Sequence, residues 1–341
     1  MSKPTTPVPP VAQRVIEDRR QFSEARLTDL TSRISEHAAN LELGPMFIFA
    51  AGSYARGEAS EFSDIDLFFG YDDDKSAPIA LRRTNELRLF GHVIEAVNEL
   101  DFPALSADCK YLETHLLSEV LKELGGDRDD VDNHFTFRML LLLEGRCILG
   151  AQHYNSAVKK VVGSYYRDYP RHVHEFQPWF LLNDIIRYWK TLTLNYEHRR
   201  RPSEVGEDED SRRVRNFKLK FSRMTTCFAT VAAIGAKMEN VEPADIEHLV
   251  TLPPSDRFTS ALDRMPEIRP QLDRLTEEYT WFLDLTGLDK ESLHAKFRSH
   301  EDRSRMFERA DAYGSIMYEL LSAIDSQLAK RRIDFLRLLV I

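Results

Sequence analysis

The residues best suited to chemistry lie in one short segment, from Gly52 to Asp66. Gly52 and Ser53 follow an apolar run, and this pair lets the backbone approach a triphosphate while N–H groups and one hydroxyl donate hydrogen bonds. Asp64 and Asp66 are two apart, so on a strand both carboxylates point to one face. Carboxylate oxygens suit Mg²⁺, and two such ions can activate a hydroxyl and neutralise a leaving pyrophosphate. The segment therefore predicts a magnesium site for phosphoryl or nucleotidyl transfer.

Two buried strands are predicted to position this segment. The run from Met46 to Ala51 is apolar and is bounded by Gly-Pro and Gly-Ser, while Ile65 to Gly70 is aromatic and apolar. A third short strand is predicted from Phe102 to Ala107. Apolar residues at helical spacing predict helices at Val11 to Leu43, Pro78 to Leu100 and Lys110 to Leu124.

Beyond Gly126 the apolar spacing is helical. The predicted helices include Phe135 to Leu149, Pro178 to Tyr196, Lys218 to Lys237 and most of Pro254 to Leu339. A charged segment from His198 to Arg215 is predicted to be an exposed loop. The fold class is thus predicted as α+β: a small mixed sheet with flanking helices in residues 1–125, then an all-helical domain in residues 126–341.

Composition excludes several classes of protein. The chain has 341 residues and a formal net charge of -9, which argues against a generally basic nucleic-acid-binding surface. No apolar stretch approaches the ~20 residues of a membrane span, and the first ten residues do not have the pattern of a signal peptide. The cysteines, Cys109, Cys147 and Cys227, form no C-x-x-C pair. We therefore expect a soluble protein of the cytoplasm without a disulfide framework.

The spacing of the motif resembles a known signature. Gly52-Ser53, ten intervening residues and Asp64-Ile65-Asp66 resemble the DNA polymerase β-like nucleotidyltransferase superfamily. Arg56-Gly57-Glu58 makes the chain most similar to the bacterial branch with the PII uridylyltransferase catalytic domain and the DUF294-type nucleotidyltransferases. The resemblance implies that Gly52 and Ser53 hold the nucleotide phosphates and that Asp64 and Asp66 bind two Mg²⁺ ions, with Mn²⁺ as an alternative.

The superfamily normally adds a third carboxylate from a later strand, which acts on the metal or as a base. Asp108, at the end of the predicted third strand, is the first choice for this catalytic and metal-binding position. Glu113 is the second choice and Glu95 is the third. If none lies beside Asp64 and Asp66, the chain is a nucleotide-binding regulatory module without turnover.

Cationic and amide side chains are further candidates for binding the triphosphate. Arg56 either reaches a phosphate or pairs with an acid of its own loop. Asn183, Arg187 and Lys190 share one stripe of a predicted helix, which resembles the helix that follows the catalytic sheet in related enzymes. Lys218 and Lys220 begin the helix after the charged segment.

The predicted activity is magnesium-dependent transfer of a nucleoside monophosphate from a nucleoside triphosphate to a hydroxyl, with release of pyrophosphate. The helical domain would close over the nucleotide. Similarity to the uridylyltransferase branch favours a hydroxyl on a protein as acceptor. The alternatives are synthesis of a cyclic or linear oligonucleotide signal and modification of an RNA end. No motif of a P-loop, α/β-hydrolase or Rossmann enzyme occurs.

Overall fold

A computed structural model describes residues 10–73, 79–103, 105, 112–173, 176–199 and 209–340. The chain divides into two compact units, Asp18–Arg167 and Asp168–Ile341 together with Met1–Glu17. The described part of the first unit contains a sheet with flanking helices, and that of the second contains helices without strands. The predicted α+β fold class is confirmed.

The sheet belongs to the first unit. The elements up to residue 167 are α1 (Pro10–Ala38), β1 (Met46–Ala51), α2 (Gly52–Ala55), β2 (Asp66–Tyr71), α3 (Ile79–Glu99), β3 (Thr114–Leu116), α4 (Leu117–Lys122), α5 (His134–Glu144), β4 (Arg146–Leu149) and α6 (Ala151–Tyr165). The strand order is β3-β2-β1-β4. β1 is antiparallel to both β2 and β4, whereas β2 and β3 are parallel, which makes the sheet mixed.

Both faces of the central strand β1 are covered, which explains why its sequence is apolar without alternation. Ile48 lies in the core that α1 and α3 build on one face. Phe49 points to the other face, where its ring lies 5.4 Å from Phe137 of α5 and 6.1 Å from Tyr154 of α6. The core residues of α1 and α3 recur at spacings of three and four: Leu27, Leu30, Ile34, Ala38, Leu89, Phe90, Val93, Ala96 and Val97.

The third strand differs from its predicted position. Phe102, Pro103 and Leu105 are outside any strand, and β3 forms at Thr114–Leu116 instead. Proline has no N–H for a strand ladder. The Phe102 ring is buried, packs 5.3 Å from the Tyr54 ring and lies beneath the Arg26 guanidinium at 4.0 Å. Core packing therefore uses Phe102 without pairing it to the sheet, and residues 104, 106 and 107 of the predicted strand lie outside the described residues. The helix predicted from Lys110 is correspondingly shorter, since α4 begins at Leu117.

The predicted helix from Phe135 to Leu149 is also too long. It ends at Glu144, and Arg146–Leu149 add the strand β4 beside β1. Ile148 joins the core on the α1 and α3 face. Pairing with β4 protects the second edge of β1, which would otherwise present unpaired backbone groups.

The regular elements in the described part of the second unit are all helices. Its α-helices are α7 (Trp179–Arg199), α8 (Glu209–Lys218), α9 (Met224–Ala236), α10 (Pro243–Leu249), α11 (Pro254–Arg264), α12 (Arg269–Leu285), α13 (Lys290–Arg298), α14 (His300–Ala329) and α15 (Phe335–Val340). A π-helical turn, Leu219–Arg223, joins α8 to α9. Phe221 of this turn stacks on Phe282 at 4.8 Å in an aromatic core. No helix among the described residues combines the length and apolar character required to cross a membrane.

The charged segment from His198 to Arg215 is only partly the loop that the sequence predicts. α7 extends to Arg199, and α8 already begins at Glu209. Arg213 pairs with Glu209 and Asp210 one turn earlier in α8. Acids in a first turn and ion pairs at this spacing both favour the helix.

Candidate active site

Pairing of β1 with β2 brings the two halves of the motif together. Ala51, the last residue of β1, lies opposite Asp66, the first residue of β2. Gly52 comes next, with φ of +73°, and a Cβ atom there would lie 2.8 Å from Oδ2 of Asp66. A side chain at Gly52 would therefore both strain the backbone and crowd the carboxylate. The structure thus places the Gly-Ser turn directly against one predicted metal ligand.

The carboxylates of Asp64 and Asp66 are accessible from outside. Ile65 between them is 1% exposed and belongs to the core under α1 and α3. Asp66 is half-buried and Asp64 is exposed. Since neighbouring side chains alternate along a strand, Asp66 shares the opposite face with Phe68, which stacks on Phe49 at 5.5 Å.

Tyr54 lies beneath the Gly-Ser turn and is 1% exposed. Burial raises the pKa of its hydroxyl, and this effect outweighs the opposing hydrogen bond and charge of Arg26. The negative charge of Asp64 contributes a smaller increase to the same pKa. Tyr54 therefore stays neutral at pH 7 and helps to support the turn.

Helix α1 fixes the loop between the two halves of the motif. Ser23 is fully buried, and its Oγ accepts a hydrogen bond of 3.0 Å from the backbone N–H of Ala59. Arg19 Nη1 donates to the Ala59 carbonyl at 3.2 Å. Within the loop, Ser63 Oγ accepts from the Ser60 N–H at 2.9 Å. The spacing between Ser53 and Asp64 is thereby held by tertiary contacts.

Arg56 lies in a buried ion-pair network. Its Nε donates to Glu58 at 2.7 Å, and its Nη1 donates to Glu144 at the end of α5. The Arg56 and Glu144 side chains are 5% and 0% exposed. Of the two roles considered for Arg56, the structure contains the pairing with an acid of its own loop, and contact with a phosphate stays a prediction.

Glu113, the second candidate for the third carboxylate, directly precedes β3. β3 runs parallel to β2 with His115 opposite Gly70. His115 packs 4.5 Å from the Phe137 ring, on the same face of the sheet as Asp66. Glu113 comes two residues earlier, and its Oε1 lies 3.6 Å from Nε2 of His115, so it shares that face. Its side chain is 60% exposed. We name Asp64, Asp66 and Glu113 the acidic end of the sheet.

The other two candidates for the third carboxylate are Asp108 and Glu95. Asp108 falls outside the described residues. Glu95 lies in α3 with a carboxylate oxygen 3.3 Å from Nδ1 of His37. His37 is fourteen residues beyond Ser23 in α1, which corresponds to about 21 Å along the helix axis from the level of the loop. Glu95 is therefore poorly placed to share a metal with Asp66.

The predicted stripe of α7 is present in the second unit. Asn183 and Lys190 are exposed, and Arg187 is half-buried with Nη1 3.5 Å from Asp184. A polar stripe at this spacing is available to a ligand. Contact of these residues with a nucleotide stays a prediction.

Lys218 and Lys220 lie where α8 meets the π-helical turn. Lys218 is exposed, and Lys220 Nζ lies 2.5 Å from the Asp311 carboxylate. Lys220 also lines a cavity of about 1120 Å³ within the second unit. The polar and aromatic residues around this cavity include Trp189, Tyr196, Arg212, Arg213, Lys220 and Asp311. A role of Lys218 and Lys220 in binding phosphate stays a prediction.

Sequence reasoning missed two residues that support the site. Glu144 ends an otherwise apolar run, and such a solitary acid is a signal for a buried, paired carboxylate. His115 is 9% exposed and packs between Phe137 and the ring of His134. Burial lowers the pKa of His115 to about 4, with a further contribution from His134. The Glu113 carboxylate does not offset this lowering of the pKa, so His115 is neutral at pH 7.

The donor chemistry of the acidic end of the sheet fits a hard divalent cation. Its side chains offer carboxylate oxygens, which Mg²⁺ prefers over nitrogen or sulfur. The absence of a side chain at Gly52 leaves space next to the Asp66 carboxylate, where a Cβ would come within 2.8 Å. Asp64, Asp66 and Glu113 are therefore candidate metal ligands by their chemistry, and metal binding by them stays a prediction.

A family model matches the part of the chain that contains these residues. Residues 33–131 match the family model described as the nucleotidyltransferase domain. A comparison with curated proteins gave no significant match. The matched segment includes β1, the Gly-Ser turn, β2 and β3, and thus the whole acidic end of the sheet. The match supports a nucleotidyltransferase domain in residues 33–131, similar to those of the DNA polymerase β-like superfamily.

Proposed function

We propose that this protein is a magnesium-dependent nucleotidyltransferase that transfers a nucleoside monophosphate from a nucleoside triphosphate to a hydroxyl. The observation that carries the proposal is the apposition of Gly52 and Asp66, since it joins a phosphate-binding turn to a metal-binding carboxylate. The exposure of Asp64 and Glu113 to solvent supports it further.

The proposed roles follow from the chemistry of each group. The Gly52 and Ser53 N–H groups and the Ser53 hydroxyl would bind the β- and γ-phosphates. Asp64 and Asp66 would hold Mg²⁺, which when bound supplies charge stabilisation for the phosphates and the leaving pyrophosphate. The acceptor oxygen forms a bond to the α-phosphorus, and the bond from that phosphorus to the bridging oxygen of the β-phosphate breaks. Pyrophosphate leaves with the electron pair.

The proton of the acceptor hydroxyl must pass to a base. Glu113 is the described carboxylate that best fits this role or that of a third metal ligand, because it shares the face of Asp66 and is open to solvent. Asp108, the first choice from the sequence, remains a candidate. Replacing each by glutamine or asparagine would distinguish them.

In this proposal the helical part of the chain, placed at residues 126–341 by the sequence, closes over the nucleotide. Asn183, Arg187, Lys190, Lys218 and Lys220 are proposed to contact the triphosphate. Exposure of Asn183, Lys190 and Lys218 supports this role. A loss of nucleotide affinity in Lys190→Ala and Lys218→Ala at unchanged thermal stability would agree with it.

A hydroxyl on a protein is the proposed acceptor, on the basis of the similarity to the uridylyltransferase branch. Products separate this from the alternatives. Label that stays with protein on a denaturing gel supports a protein acceptor, a free labelled oligonucleotide supports a signal synthase, and labelled RNA supports an RNA-end transferase.

The primary test incubates the purified chain with Mg²⁺ or Mn²⁺ and each α-labelled nucleoside triphosphate, in the presence of cell extract as the acceptor source. We expect transfer of label and release of pyrophosphate. Asp64→Ala with Asp66→Ala should abolish both, whereas Asp127→Asn, at an exposed acid, should not. Tight binding of a triphosphate without pyrophosphate release would indicate a regulatory module, and full activity of the double variant would contradict the proposed site.

A further inference from the structure

A second group of metal-ligand side chains lies between α1 and α3, apart from the acidic end of the sheet. It consists of His37 from α1 and of His92 and Glu95 from α3. One ligand atom from each residue lies within 4.8 Å of the other two. The His37 and His92 rings are 5.6 Å apart between centroids. The spacing of three between His92 and Glu95 places both on the side of α3 that meets α1.

The two distances to Glu95 are close to those between ligand atoms around a tetrahedral ion. His37 Nδ1 lies 3.3 Å and His92 Nδ1 lies 3.8 Å from Oε2 of Glu95. Ligand atoms about 2.0–2.1 Å from a tetrahedral Zn²⁺ lie about 3.3 Å from one another. The ligand atoms of His37 and His92 lie within 4.8 Å of each other, so a bound ion would have to draw these side chains closer together.

His92 provides an independent observation. Its Nδ1 atom is buried and has no hydrogen-bond partner, and the 3.8 Å to Glu95 exceeds hydrogen-bond length. A buried ring nitrogen without a partner is costly unless something else occupies its lone pair. The nitrogen is directed toward the Glu95 carboxylate that His37 also contacts, so a single ion could satisfy all three.

The contact between His37 and Glu99 resembles the one that a metal-binding histidine usually makes through its other ring nitrogen. Its other ring nitrogen, Nε2, lies 3.1 Å from Glu99 Oε2, and Arg33 Nε lies 3.2 Å from the same Glu99 oxygen. A carboxylate that accepts from one ring N–H fixes the tautomer in which the other nitrogen is free to bind a metal. Glu99 would therefore be a positioning residue.

We propose that His37, His92 and Glu95 bind one zinc-class divalent ion. Imidazole nitrogens favour Zn²⁺ over Mg²⁺, so this site would differ in selectivity from the all-oxygen acidic end of the sheet. The Glu95 side chain is 57% exposed and that of His92 is 33% exposed, which leaves a fourth position to water. The ion would join α1 to α3, the two helices that cover one face of the sheet.

The test uses the full chain with its purification tag removed and its metals stripped by a chelator. Zn²⁺ is titrated against a chromogenic chelator, with Mg²⁺ as the comparison ion, and thermal unfolding is recorded in parallel. We expect one equivalent of Zn²⁺ to bind and to raise the melting temperature. Millimolar Mg²⁺ should not change this binding. Bound Co²⁺ should give the intense visible absorption of a four-coordinate site.

The variants decide whether these residues are the ligands. His37→Gln, His92→Gln and Glu95→Gln should each weaken Zn²⁺ binding by more than the ~10–100-fold expected for an outer partner, and Glu99→Gln by about 10-fold. His248→Gln, at an exposed histidine of the second unit, should leave binding unchanged. Glu95 is exposed, so Glu95→Gln tests the site even if a histidine variant fails to fold. Unchanged affinity and stoichiometry in Glu95→Gln and His92→Gln would overturn the proposal, as would the absence of one-equivalent binding.

Discussion

Two kinds of carboxylate lie within the first unit, and they differ in burial more than in sequence. Asp64 and Glu113 at the acidic end of the sheet are exposed and Asp66 is half-buried. Glu144 and Asp129, by contrast, have fully buried side chains paired with Arg56 and Arg138. We name the latter two contacts the buried arginine pairs. A buried carboxylate requires a fixed cation, whereas an accessible one can exchange water for a ligand.

The two kinds of carboxylate are expected to have different roles. Arg138 binds Asp129 through two hydrogen bonds of 2.6 and 2.7 Å and also donates to the Val120 carbonyl at 3.0 Å. Such a geometry connects α5 to the chain around α4. We infer that the buried arginine pairs hold the fold, while the acidic end of the sheet is proposed to bind ligand.

The largest expected effect is the contrast between a variant of Asp66 and a variant of Glu144. Asp66→Asn should lower nucleotide transfer by about 10³-fold or more, because a metal ligand is lost, while changing the unfolding free energy by less than about 1 kcal/mol. Glu144→Gln should lower stability by about 3 kcal/mol, because Arg56 loses a buried charged partner. Chemical denaturation and the transfer assay, applied to both variants, measure the contrast. A stable Glu144→Gln protein with no activity would break the comparison.

The next prediction concerns the Arg138 pair. Arg138→Met should destabilise the protein by about 3–5 kcal/mol, because Asp129 would keep an uncompensated buried charge. Arg128→Met is the matched control, since Arg128 pairs with Asp132 nearby but its side chain is 70% exposed. We expect Arg128→Met to lower the free energy of unfolding, measured in urea, by less than about 1 kcal/mol. Equal losses of stability in the two variants would mean that burial does not decide how much these ion pairs stabilise the protein.

His115 gives a pH-dependent prediction. Its pKa in the folded protein is about 4, against an ordinary value of 6.5. Between these values the unfolded chain binds a proton that the folded protein does not, so stability falls as pH decreases from 6.5 to 4. The total loss is about 3 kcal/mol, and above pH 6.5 His115 contributes no pH dependence.

His115→Gln should make the decline in stability between pH 6.5 and 4 shallower by up to about 1.4 kcal/mol per pH unit. Urea unfolding of both proteins at pH 7, 5.5 and 4.5 measures the difference. Parallel pH profiles would show that His115 titrates normally and that this face of the sheet is more hydrated than its burial indicates.

Gly52→Ala should have a modest effect on stability and a separate effect on activity. The positive φ alone costs about 1–2 kcal/mol for a residue with a side chain. Displacement of the Asp66 carboxylate by a new Cβ should lower transfer by about 10²-fold. In Gly91→Ala, by contrast, the new Cβ has no atom within 4 Å in α3, and about 0.5–1 kcal/mol of stabilisation is expected. Unchanged activity of Gly52→Ala would argue against the proposed phosphate site.

Local sequence was sufficient for elements whose own pattern is strong. β1 was predictable because six apolar residues stand between Gly-Pro and Gly-Ser, and β2 because aromatic residues follow Asp66. β3 was not, because Phe102 looks like a strand residue but is used in packing against Tyr54. The helix before β4 was predicted too long for a similar reason: only the open edge of β1 makes Arg146–Leu149 a strand.

The sequence by itself determined the α+β class and the segment that carries the candidate chemistry, since Gly52-Ser53 and Asp64-Ile65-Asp66 are local in the chain. Tertiary structure decided how these parts combine. Pairing of β1 with β2 sets Gly52 against Asp66, and the parallel addition of β3 brings Glu113 to the same face. Burial also decided that Arg56 binds Glu144, 88 residues later. Strand register and the cost of burying charge depend on residues distant in sequence, and a local pattern does not contain that information.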